Sequence, residues 1–159
     1  MPKATPGTDN RILRVCRLLN AHDVRYLIAG GVAANLHGVV RATKDVDVLV
    51  PKDRANTKRL LTALSKLPYG VARELDADEI LDKPVVIVGD DPRVDVLTVA
   101  FDLTYDEARR SAIVRTIDGV RVPYLSLEDL IRSKRTGRHQ DLADIEILRG
   151  IAERNEPGD

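Results

Sequence analysis

Two carboxylates stand inside a run that otherwise reads as a β-strand: Asp45-Val46-Asp47-Val48-Leu49-Val50, closed by Pro51. Aspartate is depleted in strands and valine enriched. The strand period of two puts Asp45 and Asp47 on one face, about 7 Å apart. At an effective dielectric near ~20, like charges at that distance repel by about 2–2.5 kcal/mol. A cation between them would turn the repulsion into attraction, and hard oxygen ligands of this kind suit Mg²⁺ or Mn²⁺. The plainer reading is an amphipathic strand whose polar face meets water. Arg93-Val94-Asp95-Val96-Leu97-Thr98 repeats the arrangement. If that strand lies beside the first, Asp95 joins the same face, and three carboxylates can hold two metal ions for phosphoryl transfer.

Upstream, the apolar run Tyr26-Leu27-Ile28-Ala29 stops at Gly30-Gly31 and gives way to a short helix over Val32–Leu36, ended by Gly38. Glycines there let backbone N–H groups approach an anion. A plain tight turn is the alternative. The position of the glycines ahead of the carboxylate pair favours one end holding phosphates and the other their metal ions.

Composition sets the outer limits. The chain has 159 residues with 25 Lys+Arg and 25 Asp+Glu, a net charge of zero. That argues against a general polyanion binder working through bulk charge. One phenylalanine, four tyrosines and no tryptophan leave an aliphatic core and no array of rings for stacking single-stranded nucleic acid. The single Cys16 excludes an internal disulfide and reads as a small core residue. No run has the length of a membrane span, and the N-terminus lacks an apolar signal core, so the expectation is a cytoplasmic protein without a membrane partner.

The remaining pattern is mixed. Thr8 or Asp9 can cap a first helix bearing Ile12, Leu13, Val15, Cys16, Leu18 and Leu19. Asp53 opens a helix with Leu60, Leu61, Leu64 and Leu67. Val85–Val88 and Val94–Val99 read as an antiparallel hairpin, and Ala112–Ile117 with Val120–Val122 flank the hairpin signal Asp118-Gly119. Thr104–Arg110 reads as a helix. Ser126-Leu127-Glu128-Asp129 resembles a capping box before a helix running to about Arg135. Asp141, read as an N-cap, opens a last helix carrying Leu142, Ile145, Ile147 and Leu148, with Asp144 and Glu146 toward solvent. Residues 71–83 resist assignment, and the acid-rich stretch 73–95 reads largely as a solvated loop. His22, His37 and His139 lack metal-ligand spacing. The expectation is an α/β (α+β) fold: one domain over 8–155, its core about 24–125 and a helical part about 126–155, with flexible tails at 1–7 and 156–159. A mixed sheet of about four to six strands is flanked by helices.

Ala29-Gly30-Gly31, thirteen residues, Asp45-Val46-Asp47-Val48, then a later strand aspartate, Asp95, together resemble the motif of the nucleotidyltransferase superfamily that includes DNA polymerase β. Arg41-x-Thr43-x-Asp45-x-Asp47 with the endings Glu128-Asp129-Leu130-Ile131-Arg132-Ser133-Lys134 and Asp141-Leu142-Ala143-Asp144-Ile145 is most similar to small stand-alone bacterial members, among them AbiEii-type toxins of toxin–antitoxin and phage-defence systems. The likeness covers roughly residues 24–148.

The resemblance implies a nucleotidyltransferase fold with C-terminal helices, and an enzyme that moves an NMP from an NTP to an acceptor hydroxyl and releases pyrophosphate. Asp45, Asp47 and Asp95 would be the catalytic, Mg²⁺- or Mn²⁺-binding set, with Asp95 also helping to deprotonate the acceptor. Gly30 and Gly31 would contact the triphosphate through their backbone, with Arg41, Thr43 and Lys134 as further nucleotide contacts. Many members carry Gly-Ser where this chain has Gly-Gly, which removes one hydroxyl. An RNA 3′ end, tRNA above all, is the acceptor implied by the toxin likeness, together with a cognate antitoxin protein. An aminoglycoside- or lincosamide-type antibiotic or a protein hydroxyl are the alternatives, and a non-catalytic nucleotide- or partner-binding module is a third class. The basic segment 132–139, Arg-Ser-Lys-Arg-Thr-Gly-Arg-His, is either a triphosphate or RNA contact or a solvated helix end.

Overall fold

The computed structural model describes residues 10–155; the expected cap at Thr8 or Asp9 and both expected tails lie outside them. In chain order the elements are α1 (Asn10–Ala21), β1 (Leu27–Ala29), α2 (Gly30–Leu36), β2 (Val46–Leu49), α3 (Arg54–Leu64), a 3₁₀ turn (Val71–Glu74), α4 (Ala77–Leu81), β3 (Val85–Val88), β4 (Val94–Leu97), α5 (Tyr105–Ala108), β5 (Ile113–Ile117), β6 (Val120–Tyr124), α6 (Leu127–Ser133) and α7 (His139–Asn155). The fold is the mixed α/β architecture that the sequence predicts, with six strands in the order β3-β4-β2-β1-β6-β5. β2 runs antiparallel to β1 but parallel to β4, and β1 runs parallel to β6. The expected hairpins are the β3–β4 and β5–β6 pairs.

Alternation sorts the sheet into two faces. Val46, Val48, Val94 and Val96 are buried in one core with Ile12, Leu13, Cys16 and Leu19 of α1 and Leu60, Leu61 and Leu64 of α3. Each such aliphatic side chain contributes about 1.5–3 kcal/mol by leaving water. Cys16 is among them, and burial pushes its thiol up to about 11, so it packs rather than reacts. Asp47 and Asp95 point the other way. They are direct partners across the β2–β4 pair, as the repeated strand pattern predicts.

Several expectations are corrected. Residues 73–95 are not a solvated loop: Asp76 caps α4 in a full capping box with Glu79. Asp90, only 9% exposed, accepts from the backbone N–H groups of Tyr69 and Val71 at 2.9 and 3.1 Å. Ser126 does cap α6, accepting from Asp129 N, but Asp129 turns its carboxylate to Ser111 Oγ at 2.8 Å instead of closing a capping box. The helix stops at Ser133, with Lys134 as its C-cap. Asp141 is not an N-cap, because α7 begins at His139. Leu142 and Ile147 face solvent, at 50% and 49% exposed, while Asp144 is buried. The inward face of α7 is Asp141, Asp144, Ile145, Leu148 and Ile151, a regular helical spacing that the apolar residues alone do not reveal.

Candidate active site

Everything of chemical interest gathers where β1 ends and α2 begins. Ala29 pairs with Asp47 across β1–β2, which brings the Asp47 side chain against the first residue of α2. Gly30 has φ +58°, and a Cβ there would lie 2.0 Å from Asp47 Oδ2. Both the backbone conformation and the contact therefore demand glycine. A Cβ on Gly31 would meet Thr43 Oγ1 at 2.9 Å, with Arg41 Nη2 about 4.0 Å off. The loop carrying Arg41 and Thr43 is thus laid over the glycine pair. Asn35, buried in α2, holds that loop by donating from Nδ2 to the carbonyls of Val39 and Arg41, each at 2.8 Å. Ala29, the N-cap of α2, has no side chain with which to cap the helix amides.

Asp45 lies just ahead of β2 rather than inside it, so the strand alternation that was to align it with Asp47 begins one residue later. Arg93 draws it in. The guanidinium donates from Nε and Nη2 to Asp95 at 2.8 and 3.2 Å and stands 3.7 Å from Asp45. Asp47 is left differently: burial first, then the charges of Asp95 and Asp45, push its carboxyl up to about 6 against the opposing pull of Lys134 and Arg93. Asp47 carries the part of this face's negative charge that Arg93 does not pair, and hard oxygen donors of this kind fit Mg²⁺ or Mn²⁺. Among the described residues, no three Asp, Glu, His or Cys side chains are gathered into a ready-made metal cage. Arg93 takes the place a cation would have on Asp45 and Asp95.

The opposite wall comes from the C-terminal helices. The cleft of about 170 Å³ over Gly30 and Asp47 is lined further by Leu97, Phe101, Lys134 and Arg138. Lys134 Nζ, in a residue only 7% exposed, donates to Asp144 Oδ2 at 2.9 Å. Arg41 Nη1 donates to both Asp144 oxygens at 2.8 and 2.9 Å, and Gln140 Nε2 adds a third partner at 3.0 Å. Burial opposes ionisation of Asp144, but the hydrogen bond and charge of Lys134 outweigh it and hold the carboxyl below its ordinary value. Asp144 therefore ties α7 to the loop before β2 and to the end of α6. Sequence reasoning placed it in solvent; its spacing with Ile145, Leu148 and Ile151 was the available signal.

The basic segment is less free than its composition suggests. Three of its four permanent charges have acidic partners: Arg132 with Asp102 and Glu107, Lys134 with Asp144, Arg138 with Asp141. The structure brings Gly30, Asp47 and Lys134 into one cleft; Thr43 and Arg41 lie over the adjoining Gly31, Asp95 is the strand partner of Asp47, and Asp45 is linked to Asp95 through Arg93. Arg93, Asn35 and Asp144 are the additions.

A family model described as aminoglycoside-2″-adenylyltransferase matches residues 11–148. No curated protein sequence matches the chain. Among solved structures, the fold is similar to an antigenic nucleotidyltransferase-like protein from Paracoccidioides brasiliensis, with TM-score 0.62 and 18% identity over 99% of this chain and 81% of that one. It is also similar to a candidate nucleotidyltransferase from Thermotoga maritima, with TM-score 0.53 and 15% identity over 91% of this chain and 90% of the other. No helix among the described residues is long and apolar enough to cross a membrane.

Proposed function

Because the chain belongs to the aminoglycoside-2″-adenylyltransferase family and has the fold of a nucleotidyltransferase, we propose that it transfers a nucleoside monophosphate from an NTP to an acceptor hydroxyl and releases pyrophosphate. The observation that carries this is the seating of the Asp47 carboxylate against the Gly30 backbone with Asp95 as its strand partner. It puts an anion-accepting backbone and a pair of cation-seeking carboxylates side by side.

Asp47, Asp95 and Asp45 would hold Mg²⁺ or Mn²⁺, with Arg93 giving up its place on Asp45 and Asp95 to the ion. Bound there, the ion supplies charge neutralisation at the triphosphate and its leaving group. The glycine pair leaves the start of α2 without side chains of its own, so the backbone there lies directly against the Asp47 carboxylate and the Thr43 hydroxyl, where phosphate and its ion would be held. Lys134 and Arg41 share the Asp144 carboxylate, which holds both cations in position and offsets one of their two charges, leaving a single net positive charge on this wall for phosphate. Asp95 is the candidate to accept the proton of the attacking hydroxyl. Thr43 Oγ1, close over Gly31, offers one hydroxyl near the position where Gly-Ser relatives carry theirs.

For the acceptor, the family description favours a hydroxyl of an aminoglycoside-like drug. The likeness to AbiEii-type toxins favours an RNA 3′ end and a cognate antitoxin, but the internal pairing of the basic segment weakens the charge argument for RNA. The test is incubation with each radiolabelled NTP and Mg²⁺, offering an aminoglycoside and lincosamide panel, total RNA and total protein in turn. Label in drug alone supports the first reading, and label in tRNA supports the second. Nucleotide binding with label in no acceptor would overturn transfer and leave a binding module.

A further inference from the structure

Phe101 is the only phenylalanine of the chain and is 55% exposed. Its backbone has φ +59°. It is the first of two central residues in a tight turn closed by Ala100 N to Leu103 O at 2.9 Å and Leu103 N to Ala100 O at 3.0 Å. A positive φ at that position but not at the next, Asp102, is the pattern of a type II′ turn, where glycine is the usual occupant. A bulky residue there is a backbone outlier.

The turn is held firmly from behind. Leu103 is fully buried and Ala100 nearly so. Arg132 donates from Nε to the Asp102 carboxylate at 2.8 Å and from Nη2 to its carbonyl at 3.3 Å, and its Nη1 reaches Glu107 at 3.1 Å. Phe101 lines the same cleft as Gly30, Asp47 and Lys134. Glycine would fill the turn with less strain, and a polar residue would suit the exposure better. Strain of this sort clusters at ligand sites, where the surrounding structure over-determines it.

We infer that Phe101 is a stacking platform for the base of the nucleotide substrate. The inference rests on the nucleotide reading of the Gly30–Asp47 cleft. The ring offers a flat apolar face on the rim of a site whose other groups are suited to phosphate and cation. Stacking is sequence-tolerant, because every base has a π-face. Phe101 therefore contributes affinity for nucleotide over bare polyphosphate.

Calorimetric titration of the full chain with ATP, GTP, CTP, UTP and inorganic tripolyphosphate, all with Mg²⁺, tests this in wild type, Phe101→Gly, Phe101→Leu and Phe101→Trp. Phe101→Gly and Phe101→Leu will lose about 5- to 100-fold in nucleotide affinity. Phe101→Trp will keep it, and tripolyphosphate will bind all four proteins alike. Phe101→Gly will melt no lower than wild type. Equal nucleotide affinity in all four proteins overturns the platform alone. Parallel loss of tripolyphosphate in the Gly and Leu variants also overturns it, since the ring would then be shaping the phosphate end. A wild type that binds neither nucleotide nor tripolyphosphate overturns the nucleotide reading and the platform with it.

Discussion

β2 and β4 carry the same four residues, Val-Asp-Val-Leu, in parallel register, yet the two strands do different work. Their valines are equally buried. Their aspartates are not equivalent. Asp95 sits one strand further from the centre of the sheet and has Arg93 as an ion-pair partner. Asp47 is flanked by β4 on one side and β1 on the other, and is pressed against Gly30 with its carboxyl pushed up to about 6. Leu49 is fully buried, whereas Leu97 is partly exposed at the cleft. Sequence decides which face a side chain takes; position in the sheet decides what charge it can keep. The central copy holds the unneutralised carboxylate, as a functional site requires and a stable core does not.

The contrast breaks most visibly at the chemistry. Asp47→Asn will lower nucleotidyl transfer by about 10³-fold or more, several kcal/mol of barrier, in a labelled-NTP assay with the true acceptor. Full activity there would remove Asp47 from the mechanism. Next comes Gly30→Ala, which forces a methyl into the Asp47 carboxylate and a side chain onto a left-handed backbone. It will cost about 2–4 kcal/mol in urea denaturation. Gly31→Ala meets the Thr43 side chain, closest at its hydroxyl, on a backbone with no positive φ, and will cost less.

The third test reverses sign. In EDTA, Asp47→Asn will be more stable than wild type at pH 7 by about 1–3 kcal/mol, the size of the raised carboxyl. A carboxyl whose folded value lies above its ordinary 3.8 ionises first in the unfolded chain. Its cost is absent below about pH 4, grows from pH 4 to 6 and is constant above. A stability difference that stays flat from pH 3.5 to 7 would contradict the burial account. Smallest of all, Asp95→Asn will shift stability by no more than about 1 kcal/mol, because the ion pair it removes is screened by water on its exposed Arg93 side. A gain like that of Asp47→Asn would erase the distinction between the two strands.

Much of this contrast is legible in the sequence. The period of two in Asp45–Val50 and Val94–Leu97, the stop at Gly30-Gly31 and the Asp118-Gly119 turn are local signals, and the strands and hairpins follow them. Asp45 departs from expectation because the strand starts one residue after it, a boundary that periodicity does not fix. Asp144 departs because, beside the nearby Lys134 and Gln140, the cation that grips both its oxygens, Arg41, is 103 residues away. Nothing near a buried acid in sequence announces a cation that distant. Residues 71–83 are charged yet structured, since Asp76 and Asp90 spend their carboxylates on backbone N–H groups rather than on solvent.

The bond between Arg41 and Asp144 also sets a timetable. Both glycines, all three candidate metal-binding aspartates and Arg41 precede residue 96, but the acid that fixes Arg41 and Lys134 is made nearly fifty residues after Asp95. During synthesis the sheet and its carboxylates can form while their cationic wall still lacks an anchor. The site is therefore completed only once α7 has been made, and a ribosome-bound fragment ending before α7 has the carboxylates without the means to hold Arg41 and Lys134 in place.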